Sequence, residues 1–462
     1  MHSLISEDTV KRNIDTAEET LNNCFNMLID IKHATDTLGD AILNFQPLLA
    51  ECLYELMSFY QELKTEEKTL VKDKKEYSSD IFKSVMKENA IFSKIVSEVI
   101  TIGKNLGDAF AWFFYRNNRK ELDDHFRHNK TGLYVSGLGG YGELQFIKNT
   151  KFIDGLFVLY HGITSMLRIG DFSLCDIRQG VLGIGEIKTK QEGEGFVSTV
   201  NISSKVNIDA SKIYPEGPLK ISDSNKDITK EFPKLSQQLK VQDNLLKSMD
   251  AEFSSKYYLD YEYGLIKNLT PSYPFAVNED RSMLLCACWN KYDTLFDILY
   301  DNGKAASLPI GLKNEIDKII VQDSIHNKVI VNVLDTGMDI LRIPVFWWHI
   351  EDETCQSLYF KKCSIIIGYN ISNLIQKFLN IGFTVKGEME SRKEIVLEKV
   401  SGDKKMQFQN FNSLCRLATH NLMRTDAVFS CAQEVFNKME SGEIPINSKV
   451  ELCIHLHNFG EQ

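Results

Sequence analysis

A chain of 462 residues has material for two or three domains, each with its own core. Its net charge of −10 argues against indiscriminate coating of nucleic acid but leaves room for a local basic groove. No apolar run approaches the ~18 residues of a membrane span, and MHSLISEDTVKRNID lacks the apolar core of a signal peptide. The ten cysteines are scattered without a C-x-x-C pair, so a reducing, cytoplasmic setting is expected.

From Val10 an apolar repeat steps by four and three through Ile14, Ala17, Leu21, Cys24, Leu28 and Ile31, and resumes at Leu38 as far as Leu63. This is the seam of a coiled coil, with a break expected between 36 and 47 at Gly39 and Pro47. The helices either fold on themselves or pair with another chain, as a homo-oligomer or with a partner protein. Phe82 to Ile102 adds a further helix, and Leu106 to His128 a separate one, aromatic at first and charged later, that forms a wall for the next sheet. His125 and His128, beside Asp123 and Asp124, read as an exposed helix end rather than a metal pair.

Gly137-Leu138-Gly139-Gly140-Tyr141-Gly142 satisfies G-x-G-x-x-G. The next strand, Leu156 to Tyr160, ends in His161-Gly162 rather than an acidic residue. The glycines therefore read as a tight entry into a helix carrying Glu143, ahead of a dinucleotide site.

Leu167 to Gln191 is the informative stretch: two strands around a turn, with acidic residues on both arms and a lysine after the second. With Gln179-Gly180 as a two-residue loop, Arg178 pairs with Val181, Asp171 lies opposite Lys188, and Ser173 lies opposite Glu186. Asp171, Glu186 and Lys188 then share one face, the two carboxylates being diagonal neighbours roughly 7 Å apart at the backbone. Two carboxylates so close repel unless a cation lies between them, and oxygen ligands suit Mg²⁺. Asp176 falls on the other face, too far along the strand to share that ion.

Asp171 followed by Glu186-Ile187-Lys188 on the next strand resembles the core motif of the PD-(D/E)XK, or restriction-endonuclease-like, nuclease superfamily, over about 50 residues. The resemblance implies Asp171 and Glu186 as metal ligands for Mg²⁺ or Mn²⁺. Lys188 would assist the attacking water, and Glu143 matches an acidic residue that many members carry upstream. Two departures stand out: Gly170 in place of proline before Asp171, and a further strand-like run, Phe196 to Ile208, before any helix. His161 either faces the site as an accessory acid or base or is a structural histidine bonded to backbone, and Arg168, Arg178, Lys190 and Lys205 would contact phosphates, Arg168 and Lys190 foremost.

Tyr214 to Lys230 reads as a loop and Leu235 to Met249 as a helix. Cys286 and Cys288, within an apolar run, read as two buried thiols rather than a zinc site. Beyond them Val329 to Leu334, Ile343 to Trp348 and Ile365 to Gly368 read as strands, and Ile371 to Leu379 and Asn412 to Lys438 as helices. Phe346-Trp347-Trp348 has the side chains to stack bases.

The expected architecture is multidomain α/β: a coiled-coil-like helical arm over 1–105, a restriction-endonuclease-like α/β core over 106–270, and an α+β module over 271–462. The expected function is metal-dependent hydrolysis of nucleic-acid phosphodiester bonds, with DNA placed before RNA as partner and no membrane. By analogy it suits an effector of bacterial antiviral defence. The competing expectation is a non-enzymatic helical adaptor with an inactive nuclease-like fold.

Overall fold

The computed structural model describes residues 5–35, 37–116, 118–127, 137–176, 179–192, 195–204, 219–221, 261–304, 328–334, 342–386, 395–401, 404–408 and 411–443. They belong to two compact units, Met1–Asp243 with Lys291–Ala306, and Asn244–Asn290 with Ser307–Gln462. The helical arm and the α/β sheet expected as separate domains therefore lie in one unit, and a short piece of the expected C-terminal module joins them. Both units combine helices with antiparallel sheets.

Three long helices, α1 (Glu7–His33), α2 (Leu38–Lys72) and α3 (Ser79–Tyr115), pack on one another. Ser6 caps α1 by accepting the Thr9 N–H, and Ser78 caps α3 by accepting that of Ile81, so each start has a local cause. The seam residues Val10, Ile14, Ala17, Leu21, Cys24, Leu28 and Ile31 are all buried in α1, and Phe45, Leu49, Leu56 and Leu63 in α2. The partner of the seam is thus the chain itself. Pro47 lies inside α2, and the break falls before the helix, at the left-handed Ala34. No helix of the described residues is long and apolar enough to cross a membrane.

The separate helix expected from Leu106 is instead the end of α3, which continues to Tyr115; α4 (Arg119–Arg127) follows. The interruption has a tertiary cause. Asn118 between them turns its Oδ1 to the Val181 N–H, tying the break to the sheet. The expected wall is present: Phe110 stacks on Phe45, and Phe114 stacks on Phe157 at 5.1 Å.

That sheet runs β1 (Phe152–Ile153), β2 (Leu156–Tyr160), β3 (Phe172–Asp176), β4 (Gly180–Glu192), β5 (Gly195–Ser204), β6 (Leu219–Ile221) in spatial order. Pairing is antiparallel as far as β5 and parallel between β5 and β6. Such a meander has no parallel βαβ unit at the glycine-rich segment, which removes the dinucleotide reading. Since β1 is short, Gln46 of α2 serves the backbone of β2, donating to Val158 O and accepting from Tyr160 N. On one face of the sheet lies α5 (Gly137–Asn149), with Phe146 against Phe172. A Cβ at Gly142 would come within 2.0 Å of Thr189 Oγ1 on β4, so only glycine permits this approach. The unit is completed by α7 (Leu295–Lys304), whose Leu295 N–H donates to Glu18 of α1.

In the second unit α6 (Gly264–Lys267) precedes a sheet of order β7 (Phe275–Val277), β8 (Met283–Trp289), β10 (Cys363–Asn370), β9 (Lys328–Asn332). A smaller sheet joins β11 (Thr384–Lys386), β12 (Val396–Ser401) and β13 (Lys404–Phe408). Around them lie α8 (Asp352–Tyr359), α9 (Ile371–Asn380), α10 (Phe411–Asn421) and α11 (Thr425–Ser441). Two expectations are corrected here. Ile343 to Trp348 is not a strand: behind Pro344 the segment turns into a 3₁₀ helix, Val345–Trp347. Phe346, Trp347 and Trp348 are buried, which removes base stacking. The single helix expected over Asn412 to Lys438 is two, parted at the left-handed Leu422. Leu235 to Met249, most of Tyr214 to Lys230, His128, Arg178 and Lys205 lie outside the described residues.

Candidate functional site

The β3–β4 register decides which side chains meet. The observed pairs are Phe172↔Gly185, Ser173↔Ile184 and Leu174↔Gly183, then Cys175↔Val181 and Asp176↔Gly180 beyond an irregularity. The connection therefore begins one residue after Asp176, not at a Gln179-Gly180 loop. Asp176 accounts for this, since its Oδ1 accepts the Gln179 N–H and closes a turn of its own. The displaced turn moves the register by three and the irregularity returns one. The net shift of two preserves which face each side chain occupies. Asp171 is consequently set against Gly185, next to Glu186 and not opposite Lys188, and Ser173 lies opposite Ile184 rather than Glu186.

Beyond Tyr160↔Phe172↔Gly185 the ladder of β3 ends, while Glu186 continues on β4 paired to Asn201 of β5. His161 N–H donates to Asp171 O and Asp171 N–H to Gly185 O, each at 2.8 Å, so Asp171 lies against Gly185, the residue before Glu186. Asp171 Oδ2 also accepts the Ile187 N–H at 2.7 Å, so the carboxylate is held against β4 between Glu186 and Lys188. Glu186 is buried, whereas Lys188 is half-buried and opposite Thr199. Lys190 is exposed further along.

Gly170 gives Asp171 its place. Its φ is +68°, and a Cβ there would strike Ile184 and the Gly185 carbonyl. The glycine standing where the resemblance leads one to expect proline is thus required by this chain's own turn.

Glu143 stands apart from Glu186. Residues 185, 187 and 189 face α5, while 184, 186 and 188 face the other way. On the α5 side the Tyr160 hydroxyl donates to Glu143 Oε2 at 2.5 Å. Burial first, then the charges of Glu143 and Asp171, holds this phenol well above its ordinary range. Lys104 of α3, fully buried, is pushed down to about 8 by burial against the pull of Asp108 and Glu143. It donates to the carbonyls of Gly162 and Thr164. Glu143 therefore belongs to a Lys104–Tyr160 cluster, and the charge of Asp171 also acts on Tyr160.

His161 is buried, and both its ring nitrogens are engaged, the backbone-bonded arrangement that was the alternative to an accessory acid or base. His125 Nδ1 accepts the N–H groups of Arg168 and Ile169, so a neutral His125 carries its proton on Nε2 and donates it to the Tyr115 hydroxyl. Tyr115 then donates to Ser173 Oγ, Ser173 to His161 Nε2, and His161 Nδ1–H to the Gly170 carbonyl. The network runs in one direction and ends on the residue before Asp171. His125, expected at an exposed helix end, is fully buried. Arg168 places its guanidinium 5.9 Å from the centre of the Phe126 ring, with Nε donating to Ser165 O.

Sequence reasoning missed Tyr115, Ser173, Tyr160 and Asn201. The available signals were polar groups inside apolar strands and, for Tyr115, inside an apolar helix end, and such groups are buried only with partners. Among the described residues, no group of three His, Cys, Asp or Glu side chains is placed to hold a metal. Asp171 with Glu186 offers two carboxylates, the number with which Mg²⁺ is commonly bound while it keeps several waters or substrate oxygens. The donor set fits a hard divalent cation of this kind.

No protein-family model, curated protein or solved structure matches the chain.

Proposed function

We propose that the protein hydrolyses phosphodiester bonds of nucleic acid, with DNA as the first substrate to test, using Asp171, Glu186 and Lys188. The observation that carries this reading is the Asp171 carboxylate accepting the Ile187 N–H, between Glu186 and Lys188, which share one face of β4. Asp171 and Glu186 would hold Mg²⁺ or Mn²⁺. When bound, the ion supplies an acidified water and screening of phosphate charge. The chain's own residues supply the remainder. Lys188, half-buried beside the two carboxylates, offers a cation to a non-bridging phosphate oxygen as charge develops there. Asp171, tethered by the Ile187 N–H, keeps its orientation while substrate enters, which avoids an ordering cost during the reaction. Lys190, exposed, and Arg168 extend positive charge beside the site toward a phosphate backbone.

The test is cleavage of single- and double-stranded DNA and RNA by purified protein with and without Mg²⁺ or Mn²⁺, beside Asp171→Asn. Metal-dependent cleavage lost in that variant supports the proposal. No cleavage of any of the four substrates would overturn it and favour the non-enzymatic adaptor.

A further inference from the structure

Strand β8 carries two thiols, Cys286 and Cys288, in the second unit. Residues two apart on a strand share a face, and β10 confirms the arrangement by placing Ile366 opposite Cys286 and Ser364 opposite Cys288. Cys363 pairs with Trp289 and so lies on the opposite face. This leaves two thiols together rather than three, which suits redox chemistry better than zinc. Cys286 is buried with Leu284 and Ile366, while Cys288 packs against their edge and is partly exposed. The neighbouring strand explains the difference: β7 pairs only as far as Phe275↔Cys286, so Cys288 extends past its end.

We infer that Cys286 and Cys288 form a reversible redox pair, in which peroxide oxidises Cys288 and Cys286 resolves the product as an intrastrand disulfide. The proximity of the two thiols holds Cys288 below its ordinary range and Cys286 above it, the division of labour the reaction needs. By contrast burial pushes Cys24, Cys52, Cys175, Cys363 and Cys415 up, leaving them as inert core thiols.

The Cys288 thiolate attacks one oxygen of hydrogen peroxide. An S–O bond forms, the O–O bond breaks, and hydroxide leaves. The Cys286 sulfur then attacks the sulfenic sulfur; an S–S bond forms, the S–O bond breaks, and the departing hydroxide takes the Cys286 proton as water. Two thiols and one peroxide thus give one disulfide and two waters. Geometry also sets the reversibility. A rise of roughly 3.2–3.4 Å per residue puts Cα atoms two apart at roughly 6.4–6.8 Å, the upper end of what a disulfide spans. A bond made at that limit is strained and readily reduced.

Trypsin releases Ser282–Lys291, which holds these two cysteines and no other. Full-length protein treated with stoichiometric hydrogen peroxide, then alkylated and digested, should yield this peptide lighter by two hydrogens and unalkylated. Glutathione should restore both alkylation sites. Cys286→Ser should instead trap a dimedone adduct on Cys288, and Cys288→Ser should leave Cys286 alkylatable. The inference is overturned if wild-type Cys286 and Cys288 both remain alkylatable while other cysteine peptides oxidise. It is equally overturned if Cys288 passes to the sulfonic acid with Cys286 untouched.

Discussion

The carboxylate of Asp171 accepts the main-chain N–H of Ile187 at 2.7 Å, so a side chain from the start of β3 is fixed to the peptide between Glu186 and Lys188. Asparagine at 171 can still accept that N–H through its amide oxygen while losing the charge. Asp171→Asn should therefore keep the fold, with stability changed by less than about 1 kcal/mol, and lose metal-dependent cleavage by at least about 100-fold. Asp176 serves the turn at Gln179, far along the strand from Glu186. Asp176→Asn should retain most activity. A cleavage assay returning the reverse pattern would place the site elsewhere.

Lys188 separates chemistry from stability. It is half-buried on β4 opposite Thr199, and removing such a cation usually costs about 0.5 kcal/mol or less. Lys188→Ala should lose cleavage with an almost unchanged melting temperature. Full cleavage by this variant would remove the lysine from the mechanism.

The close approach of α5 to β4 is open to a double-mutant cycle. A methyl at Gly142 meets Thr189 Oγ1 at 2.0 Å, and overpacking of this kind costs typically about 1–3 kcal/mol. Gly142→Ala should be destabilising, and Thr189→Gly in the same chain should recover part of the loss. Additive effects in urea titrations would show that the two positions do not compete for the same space.

The buried pair Lys104 and Asp108 gives a pH signature. Burial moves Lys104 down from 10.5 to about 8 and Asp108 up from 3.8 to about 6. For Lys104 the folded state releases its proton first. The stability this group contributes is therefore present above 10.5 and lost as pH falls through 8. For Asp108 the folded state holds its proton longer, so its contribution is present below 3.8 and lost as pH rises through 6. Lys104→Met should destabilise near neutrality by leaving the carbonyls of Gly162 and Thr164 without their donor, at a cost of about 1–3 kcal/mol. The stability gap between wild type and Lys104→Met should widen as pH rises from 8 to 10.5. A gap independent of pH would mean that Lys104 is not buried as a charge.

What the sequence disclosed follows from the range over which each interaction acts. The α1 seam was legible because a helix writes its buried face at fixed spacing, and Leu21 and Leu28 are indeed fully buried. Its partner was not legible, since an apolar stripe is the same whether a second copy or α2 and α3 covers it. The shared face of Glu186 and Lys188 follows from strand alternation alone. The register against β3 did not, because the Asp176 turn and the irregularity after Leu174 each move it by whole residues. The division of α10 from α11 at Leu422 carries no Gly or Pro in the sequence. Its visible tie is tertiary: Asn421 Oδ1 accepts the Ile343 N–H from a segment distant in sequence. His125 was misread for the same reason, its two donors lying more than forty residues further on.

The helix α7 arrives late in the chain yet belongs to the first unit, where Leu295 N–H reaches Glu18 and the Tyr300 hydroxyl reaches Glu7. A ribosome must therefore have made β7 and β8 of the other unit before the last helix of this one exists. Until then the surface of α1 and α3 that α7 covers has only solvent, or a chaperone, against it. Cutting the gene after the sheet would leave that condition permanent. The two units are not separable by a single cut, and recombination that exchanged either alone would have to carry residues 291–306 with the helices they complete.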